Sequence, residues 1–312
     1  MSSRPPSTRR WRQVRSNPKI AMGAAILLFF GLVIAANPLL WATVWKGQER
    51  LYDPVIGYDH MIVHPSAPSA THWLGTDSLG RDVTSMFTLA ARSSVAVAVA
   101  AALASGAVSL VLGSLAAYHR RWVDAVVTHM SDAMVLLPAL LAVWIVGVGR
   151  PDETFGAVQV GAVFGLVYGL GPATAAVRAA GLVVMAKPFV EAARLVGAGG
   201  YWTMSRHLLP HLMPHAAVQA MIGVTGAIVA EAFLNFRSAV GGGIGFGYLV
   251  YEGLTWQEML AGLRDIPWWV LGTGTLGITL LAAAFYLVGI GLREVFDSRA
   301  VQQRRVVSRA VG

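Results

Sequence analysis

The chain has 312 residues, of which 55% are hydrophobic and only 13% are charged, about half the charged fraction of an average soluble domain. Its formal net charge of +8 comes from basic residues that flank apolar runs and do not form one patch, so nucleic-acid binding is not expected. The absence of cysteine excludes disulfides, thiolate catalysis and Cys-ligated metals.

Apolar runs recur that are long enough to cross the roughly 30 Å hydrocarbon core of a bilayer. Because the alternation of a β-barrel is absent, the sequence predicts an all-α membrane protein with about six transmembrane helices. The predicted spans lie near 19–36, 93–118, 124–149, 155–173, 214–236 and 268–292. Most of the 24 Lys and Arg residues then fall on one side, which predicts that both termini are cytoplasmic.

The first span follows a basic stretch and ends in Ala35-Ala36, features that a secretory signal peptide shares. Since the run is long for a signal peptide and five more spans follow, we interpret it as a retained helix. The chain then forms one membrane domain. In order, the predicted parts are a basic cytoplasmic tail (1–18), the first span (19–36), an external segment (37–90), a five-helix core (91–292) and a cytoplasmic tail (293–312).

Small residues recur at helical spacing inside the predicted spans. They form two stripes, one of Ser105, Ser109 and Gly113 and one of Gly161, Gly165 and Gly169. Such stripes let two helix backbones approach closely in lipid. We interpret both as ordinary helix packing.

Two acidic residues, Asp132 and Glu231, fall well inside predicted spans. Intramembrane carboxylates often mark transport routes or proton relays. The alternative is that Asp132 caps or pairs with a neighbouring helix and that Glu231 lies near the outer interface. Trp144 and Tyr168 complete the candidate path-lining set by position and polarity.

No G-x-x-x-x-G-K-[ST] sequence occurs in the chain, so no nucleotide site is predicted. Active transport would therefore draw on ATP hydrolysed by another subunit and transmitted through a cytoplasmic surface, for which 174–213 is the largest candidate. A self-contained secondary transporter or channel is the second class of function. A membrane enzyme is third, because no nucleophile–base pairing is visible.

Residues 191–210 read EAARLVGAGGYWTMSRHLLP. This segment resembles the EAA loop of ABC importer membrane subunits, and its RHLLP end is similar to the variant of the peptide and nickel branch. The matched positions are Glu191, Ala192, Ala193, Gly197, Leu209 and Pro210. Physically, a short amphipathic helix after Pro188, followed by a bend at glycines, suits contact with another protein; a helix lying on lipid is the alternative.

A second stretch, HWLGTDSLGRDV at 72–83, resembles the signature of the C-type subunit of dipeptide and oligopeptide permeases, with Trp73 in place of the usual proline. The resemblance spans most of the chain. One departure is His119-Arg120-Arg121, where that family usually has a Gly-Gly turn. The candidate gating or docking residues of the signature are Asp77, Gly80, Arg81 and Asp82, and we expect an ion-pair network among the charged ones.

The resemblance implies a type I ABC importer permease fold in the bacterial cytoplasmic membrane. It implies a non-enzymatic subunit that forms half of a path for di- or oligopeptides and couples to ATPases through loop 188–210. Nickel or another small solute is the alternative cargo. The implied partners are a second homologous permease subunit, two ATPase subunits or domains that hold ATP and Mg²⁺, and an extracytoplasmic solute-binding protein.

No cofactor, metal or nucleic acid is expected on this chain. One competing motif is the i, i+4, i+8 spacing of His207, His211 and His215, which suits a metal site on a straight helix. We expect Pro210 and Pro214 to interrupt that helix and so to separate the three imidazoles.

Overall fold

The computed structural model describes residues 16–148, 156–195, 197, 199–236, 244–260 and 267–311. These residues form a bundle of helices, and there is no strand among them. The helices are α1 Pro18–Ala42, α2 Glu49–Tyr52, α3 Val83–Tyr118, α4 Trp122–Leu136, α5 Ala139–Val148, α6 Ala157–Tyr168, α7 Thr174–Met185, α8 Pro188–Leu195, α9 Gly200–Thr203, α10 Leu209–Phe236, α11 Phe246–Leu260 and α12 Trp268–Val311.

The prediction of about six spans is confirmed. Five stretches of helix in the described residues are long and apolar enough to cross a membrane, and a bent pair of helices, α4 and α5, provides a sixth if it is one span. The five are Pro18–Ala42, Val83–Tyr118, Ala157–Met185, Gly200–Phe236 and Trp268–Phe296. The last of these helices continues without a break into the predicted C-terminal tail.

The span predicted at 124–149 is not one straight helix, because α4 and α5 meet at an angle of 77°. Leu137 ends α4 in an extended conformation, with ψ 114°. The residue before a proline is pushed out of the helical region by the proline ring, and Pro138 follows it. The bend is therefore encoded in the sequence at Leu137-Pro138.

The span predicted to end near 173 continues to Met185, because the chain passes through Pro172 in a wide π-helical turn. Gly171 leaves the helical conformation there (φ −92°, ψ −109°), and the Thr174 backbone N–H donates to the Gly169 and Gly171 carbonyls. Two hydroxyl groups add further hydrogen bonds: Ser131 Oγ donates to the Leu170 carbonyl at 2.8 Å and Thr174 Oγ1 to the Gly169 carbonyl at 2.5 Å. A broken helix is tolerated in lipid when neighbours satisfy its backbone in this way.

The two small-residue stripes pack as interpreted from the sequence. Helices α3 and α6–α7 run in the same direction, with Gly165 against Ala101, Gly169 against Ser105 and Val177 against Gly113. A Cβ at Gly165 would lie 2.6 Å from the Ala101 carbonyl oxygen, so the backbones touch only because that atom is missing.

The segment between α1 and α3 covers residues 43–82 and is here called the cap. Helix α1 continues through Pro38 to Ala42, and Asn37 Nδ2 ties it to Thr88 Oγ1 of α3 at 2.6 Å. Helix α3 begins at Val83 because Asp82 accepts the Ser85 backbone N–H at 2.7 Å, an N-terminal cap. The helices on both sides thus extend into the predicted external segment 37–90, whose boundaries stay a prediction.

The core lies where α1, α3 and α11 meet, and Phe30, Met86 and Phe246 are its largest fully buried side chains. The cap lies at the start of α3, and the bundle end there is called the cap end. Tyr118 ends α3 at the opposite end of the bundle, where its hydroxyl contacts Gly200. The resemblance to the EAA loop therefore falls at this second end, called the loop end.

Candidate functional site

Helix α8 projects one face away from the bundle. Its first residue is Pro188, whose missing N–H costs nothing in a first helical turn. Val190 anchors it, with only 1% of its surface exposed. Glu191, Ala192 and Leu195 are exposed. Ala193 lies in the same helix. One side of α8 is thus held by the protein and the other is presented outward.

Gly197 turns the chain after α8. Its φ of +85° lies in the left-handed region, which residues with a Cβ adopt only at a cost. Among the described residues, no atom lies within 4 Å of the position that a Cβ would take. The bend predicted at the glycines is therefore present at Gly197, and the space beside it is open.

The chain then enters α9, passes a π-helical turn at Met204–Leu208 and continues as α10. The expectation that Pro210 and Pro214 interrupt the helix is wrong, because α10 contains both. Pro210 lies in its first turn, where no backbone N–H is needed. Leu209 is half-buried and Pro210 is exposed. The loop match thus continues directly into a long span.

The three histidines of this region do not gather into a metal site. The ring of Phe189 packs 5.8 Å from His207 and 5.7 Å from His211, and His211 Nδ1 donates to the His207 carbonyl at 2.6 Å. Throughout the described part of the chain, no group of three His, Cys, Asp or Glu residues could hold a metal ion. These aromatic contacts fasten α8 to the start of α10.

At the cap end, Asp77 and Arg81 form a buried, two-point ion pair. The Arg81 Nε and Nη2 atoms lie 2.7 and 2.5 Å from Asp77 Oδ2, and the Arg81 backbone N–H donates to Asp77 Oδ1 at 2.7 Å. Burial alone lowers the pKa of Arg81, but the neighbouring carboxylate outweighs it and raises that pKa. Gly80 completes the turn with φ +80°.

Asp82 belongs to a different cluster, so the network expected among the three charged residues of the signature is split in two. His72 is fully buried, with Nδ1 2.8 Å from Asp82 Oδ1 and Nε2 3.3 Å from Asp59 Oδ2. The hydrogen bond to Asp82 raises the pKa of His72, although burial opposes it. An imidazole that faces a carboxylate on each nitrogen donates to both when protonated.

The Asp77–Arg81 pair reaches across to α11. Arg81 Nη2 donates to the Tyr248 hydroxyl at 3.0 Å and lies 3.6 Å from Glu252 Oε1, and Ser78 Oγ donates to Glu252 Oε2 at 3.0 Å. Burial, followed by the hydrogen bond to Glu252, raises the pKa of Tyr248 to about 12. The signature residues thus join the cap to α11.

The four candidate path-lining residues fall into two groups. Asp132 on α4 and Trp144 on α5 are exposed on the surface of this chain. Tyr168 packs against Gly223 of α10 and its hydroxyl lies 3.3 Å from Gln219 Oε1, while Glu231 is buried between α10 and α3. Their role along a path stays a prediction.

Sequence reasoning missed the partners of the signature residues: Asp59, Tyr248, Glu252 and Trp269. Tyr248 and Glu252 are spaced i, i+4, which places them on one face of α11, but no local signal pairs them with Arg81. Trp269 Nε1 donates to the Thr76 carbonyl at 3.0 Å and fastens the cap to α12. Only the fold brings these groups together.

Comparison with known proteins gives a family match and several relatives that cover most of the chain. Residues 109–302 match the family described as "Binding-protein-dependent transport system inner membrane component". A permease protein of Brucella abortus is 32% identical over 87% of this chain and 86% of its own length. A dipeptide transport system permease of Alkalihalophilus pseudofirmus is 28% identical (93% and 88% covered), and a glutathione transport system permease of Pectobacterium atrosepticum is 29% identical (96% and 93%).

Proposed function

Since the chain belongs to the family of inner-membrane components of binding-protein-dependent transport systems, we propose that it forms half of a translocation path for short peptides. The chain crosses the cytoplasmic membrane several times as the permease subunit of an ATP-driven importer. The names of the dipeptide and glutathione relatives support small peptides as cargo. ATP and Mg²⁺ would bind to partner subunits.

The observation that carries the proposal is the construction of the loop end. An eight-residue helix is anchored by Val190, presents Glu191 and Leu195 outward, and ends at an open, left-handed Gly197. This shape suits insertion into a groove of another protein. We place it on the cytoplasmic side, together with both termini, because most Lys and Arg residues then lie inside, and we assign an ATPase as its partner.

A rigid connection leads from that loop into the membrane. The stretch Gly200–Phe236 is a 37-residue helical span, about 55 Å long at 1.5 Å per residue. Movement of the loop with a closing ATPase would therefore move the whole of α10. The packed contact of α10 with α3 and α6 would move with it. A path beside this contact would then open to one side of the membrane and close to the other.

The partners follow from the same premise. A second, homologous permease subunit would provide the other half of the path, and Asp132 and Trp144 are exposed on α4 and α5, where they would face it. Two ATPase subunits or domains would bind at the loop end. An external solute-binding protein would deliver cargo at the cap end and would do most of the selecting, so nickel or another small solute is the competing cargo.

Reconstitution tests this proposal directly. The complete complex, placed in liposomes with its binding protein, should take up labelled dipeptide only with ATP. A matched preparation whose ATPases carry Ala in place of the nucleotide-binding lysine should not. Uptake of nickel but not of peptide would overturn the cargo. Uptake by this chain without ATPase subunits would overturn the coupling and favour a secondary transporter or channel.

A further inference from the structure

Glu231 is an acidic residue that lies near the cap end of α10 and is only 3% exposed. Ser93 Oγ of α3 donates to its Oε1 at 2.8 Å, and Asn235 Nδ2, one turn further along α10, donates to the same atom at 3.4 Å. The hydroxyl of Ser94, also buried, lies close to the carboxyl. Oε2 has no hydrogen-bond partner among the described residues.

These partners are all neutral. No Lys, Arg or His of the described residues forms an ion pair with Glu231, and Arg92, the neighbour of Ser93, is exposed. The nearest basic residue along α10's own sequence is Arg237, which lies outside the described residues. A carboxylate buried away from water is costly unless it is paired. Hydrogen bonds from uncharged donors leave most of that cost in place, whereas a protonated acid avoids it.

The carboxyl also stands at the start of a chain of contacts that ends at the cap. The amide of Asn235, which donates to Glu231, packs directly on Gly245, and Gly247 packs on the Ala232 backbone. Gly245 directly precedes α11 and Gly247 lies in its first turn. The same helix carries Tyr248 and Glu252, which hold Arg81 and Ser78. Glu231 is thus connected, through Asn235, to the start of α11 and so to the cap contact.

We propose that Glu231 carries its proton in the assembled transporter and acts as a neutral, hydrogen-bonded positioning residue, joining α10 to α3 and, through Asn235, to the helix that holds the cap. The role rests on the proposed function, because it explains how movement of α10 would reach the cap end. A substrate-binding charge at this position would instead need an ionised carboxyl and an open approach from the path.

Three variants separate these roles in the assembled complex in nanodiscs. Glu231→Gln keeps a neutral hydrogen-bonding group, and Glu231→Met keeps similar bulk without one. Arg237→Gln removes the basic residue that follows α10 in the sequence and so tests whether a positive charge there keeps Glu231 ionised. The readout at the cap is the maleimide reactivity of Cys at Ser78, a half-buried position that contacts Glu252. The readout at the carboxyl is the infrared carbonyl band of a protonated acid, which Glu231→Gln should remove.

We expect Glu231→Gln and Arg237→Gln to leave the Ser78→Cys reactivity within about twofold of the parent, and Glu231→Met to raise it about tenfold, the size expected from losing about one buried hydrogen bond. A missing protonated-acid band, an equal increase in Glu231→Gln, or an increase in Arg237→Gln would each overturn the proposal. None of these measurements depends on transport. Failure of peptide uptake therefore bears on the proposed function, and failure here bears on Glu231 alone.

Discussion

Arg81 joins two parts of the cap end: it pairs with Asp77 on its own turn and contacts Tyr248 and Glu252 on α11. Replacing it with Ala would leave Asp77 buried and unpaired, which destabilises a protein by about 3–5 kcal/mol. We expect Arg81→Ala to insert in the membrane but to lower peptide uptake strongly. Arg81→Lys should recover little, because an ammonium group cannot reproduce the two-point contact.

The matched control is Arg50→Ala, which removes an exposed arginine from the same cap. Its side chain has little packing to lose, so uptake by that variant, measured at equal membrane abundance, should match the parent. Unchanged uptake by Arg81→Ala would show that the Asp77–Arg81 pair is a local turn with no part in gating or docking.

His72 should make the cap sensitive to alkaline pH. Its pKa is raised above the ordinary value of 6.5, first by the hydrogen bond to Asp82 and less by Asp59, against the effect of burial. Protonated His72 therefore stabilises the folded cap fully below about pH 6.5, and this contribution is lost as pH rises through the raised folded-state pKa. The groups facing it are Asp82, Asp59 and the ring of Tyr52.

The measurement is the unfolding temperature of the complex between about pH 6 and about pH 9. The parent should lose stability over this range, and His72→Gln should start lower and change less. His60→Gln, which removes an exposed histidine of the cap, should follow the parent. Parallel curves for the parent and His72→Gln would show that His72 is not protonated in the folded cap.

At the scale of elements, the close contact of α3 with α6 rests on missing Cβ atoms. Gly165→Ala should destabilise the bundle by about 1–3 kcal/mol, because the new methyl group would press on the Ala101 carbonyl. Gly272→Ala is the matched control: it lies in α12 with nothing within 4 Å, and Ala stabilises a helix interior by up to about 1 kcal/mol over Gly. Thermal unfolding in detergent should move down for the first and up or not at all for the second. Equal shifts would contradict the packing described.

The existence of each transmembrane helix was predictable from the length of its apolar run, whereas the residues at which the helices begin and end were less predictable. The spans were found because about 20 apolar residues suffice to mark each one. The helix ends differ from the predicted ones where polar or proline residues act. Asp82 caps α3 before the apolar run begins. Hydrogen bonds from Ser131 and Thr174 stabilise the turn at Pro172, so the helix continues beyond it. The D-V-T-S sequence at 82–85 was a visible capping signal, whereas the Ser131 contact comes from another helix and has no local signal.

The candidate site divides in the same way. The loop at 191–210 is continuous in sequence, so its short helix and the bend at Gly197 were predictable from Pro188 and the glycines. The contacts of the cap were not predictable from the sequence. Arg81 contacts Tyr248 and Glu252, and His72 contacts Asp59, only in the folded chain. Sequence proximity also misplaced Asp82, which pairs with His72 instead of joining Asp77 and Arg81.

For the whole molecule, the prediction concerns orientation. Because the chain has no cysteine, single cysteines can be labelled without background. His60 and Leu79 of the cap and Leu195 of the loop end are all exposed. We expect an impermeant maleimide to label Cys at 60 and 79 from outside intact cells, and Cys at 195 only after the membrane is opened. External labelling at 195 would invert the topology and remove the ATPase from the loop end.

The central claim is that an ATPase contacts the loop end beside Gly197, and one substitution there tests it most directly. Gly197→Asp adds bulk and an unpaired charge to an open surface, and burying such a charge in a contact costs several kcal/mol. Gly197→Asn adds the same bulk and backbone strain without the charge, and Glu191→Ala removes an exposed charge usually worth about 1 kcal/mol or less.

The measurement is co-purification of the ATPase subunits with each variant at equal membrane abundance. We expect Gly197→Asp to insert normally but to lose the ATPases and substrate-stimulated hydrolysis, with Gly197→Asn and Glu191→Ala intermediate. Full ATPase association together with full peptide uptake in Gly197→Asp would contradict the central claim.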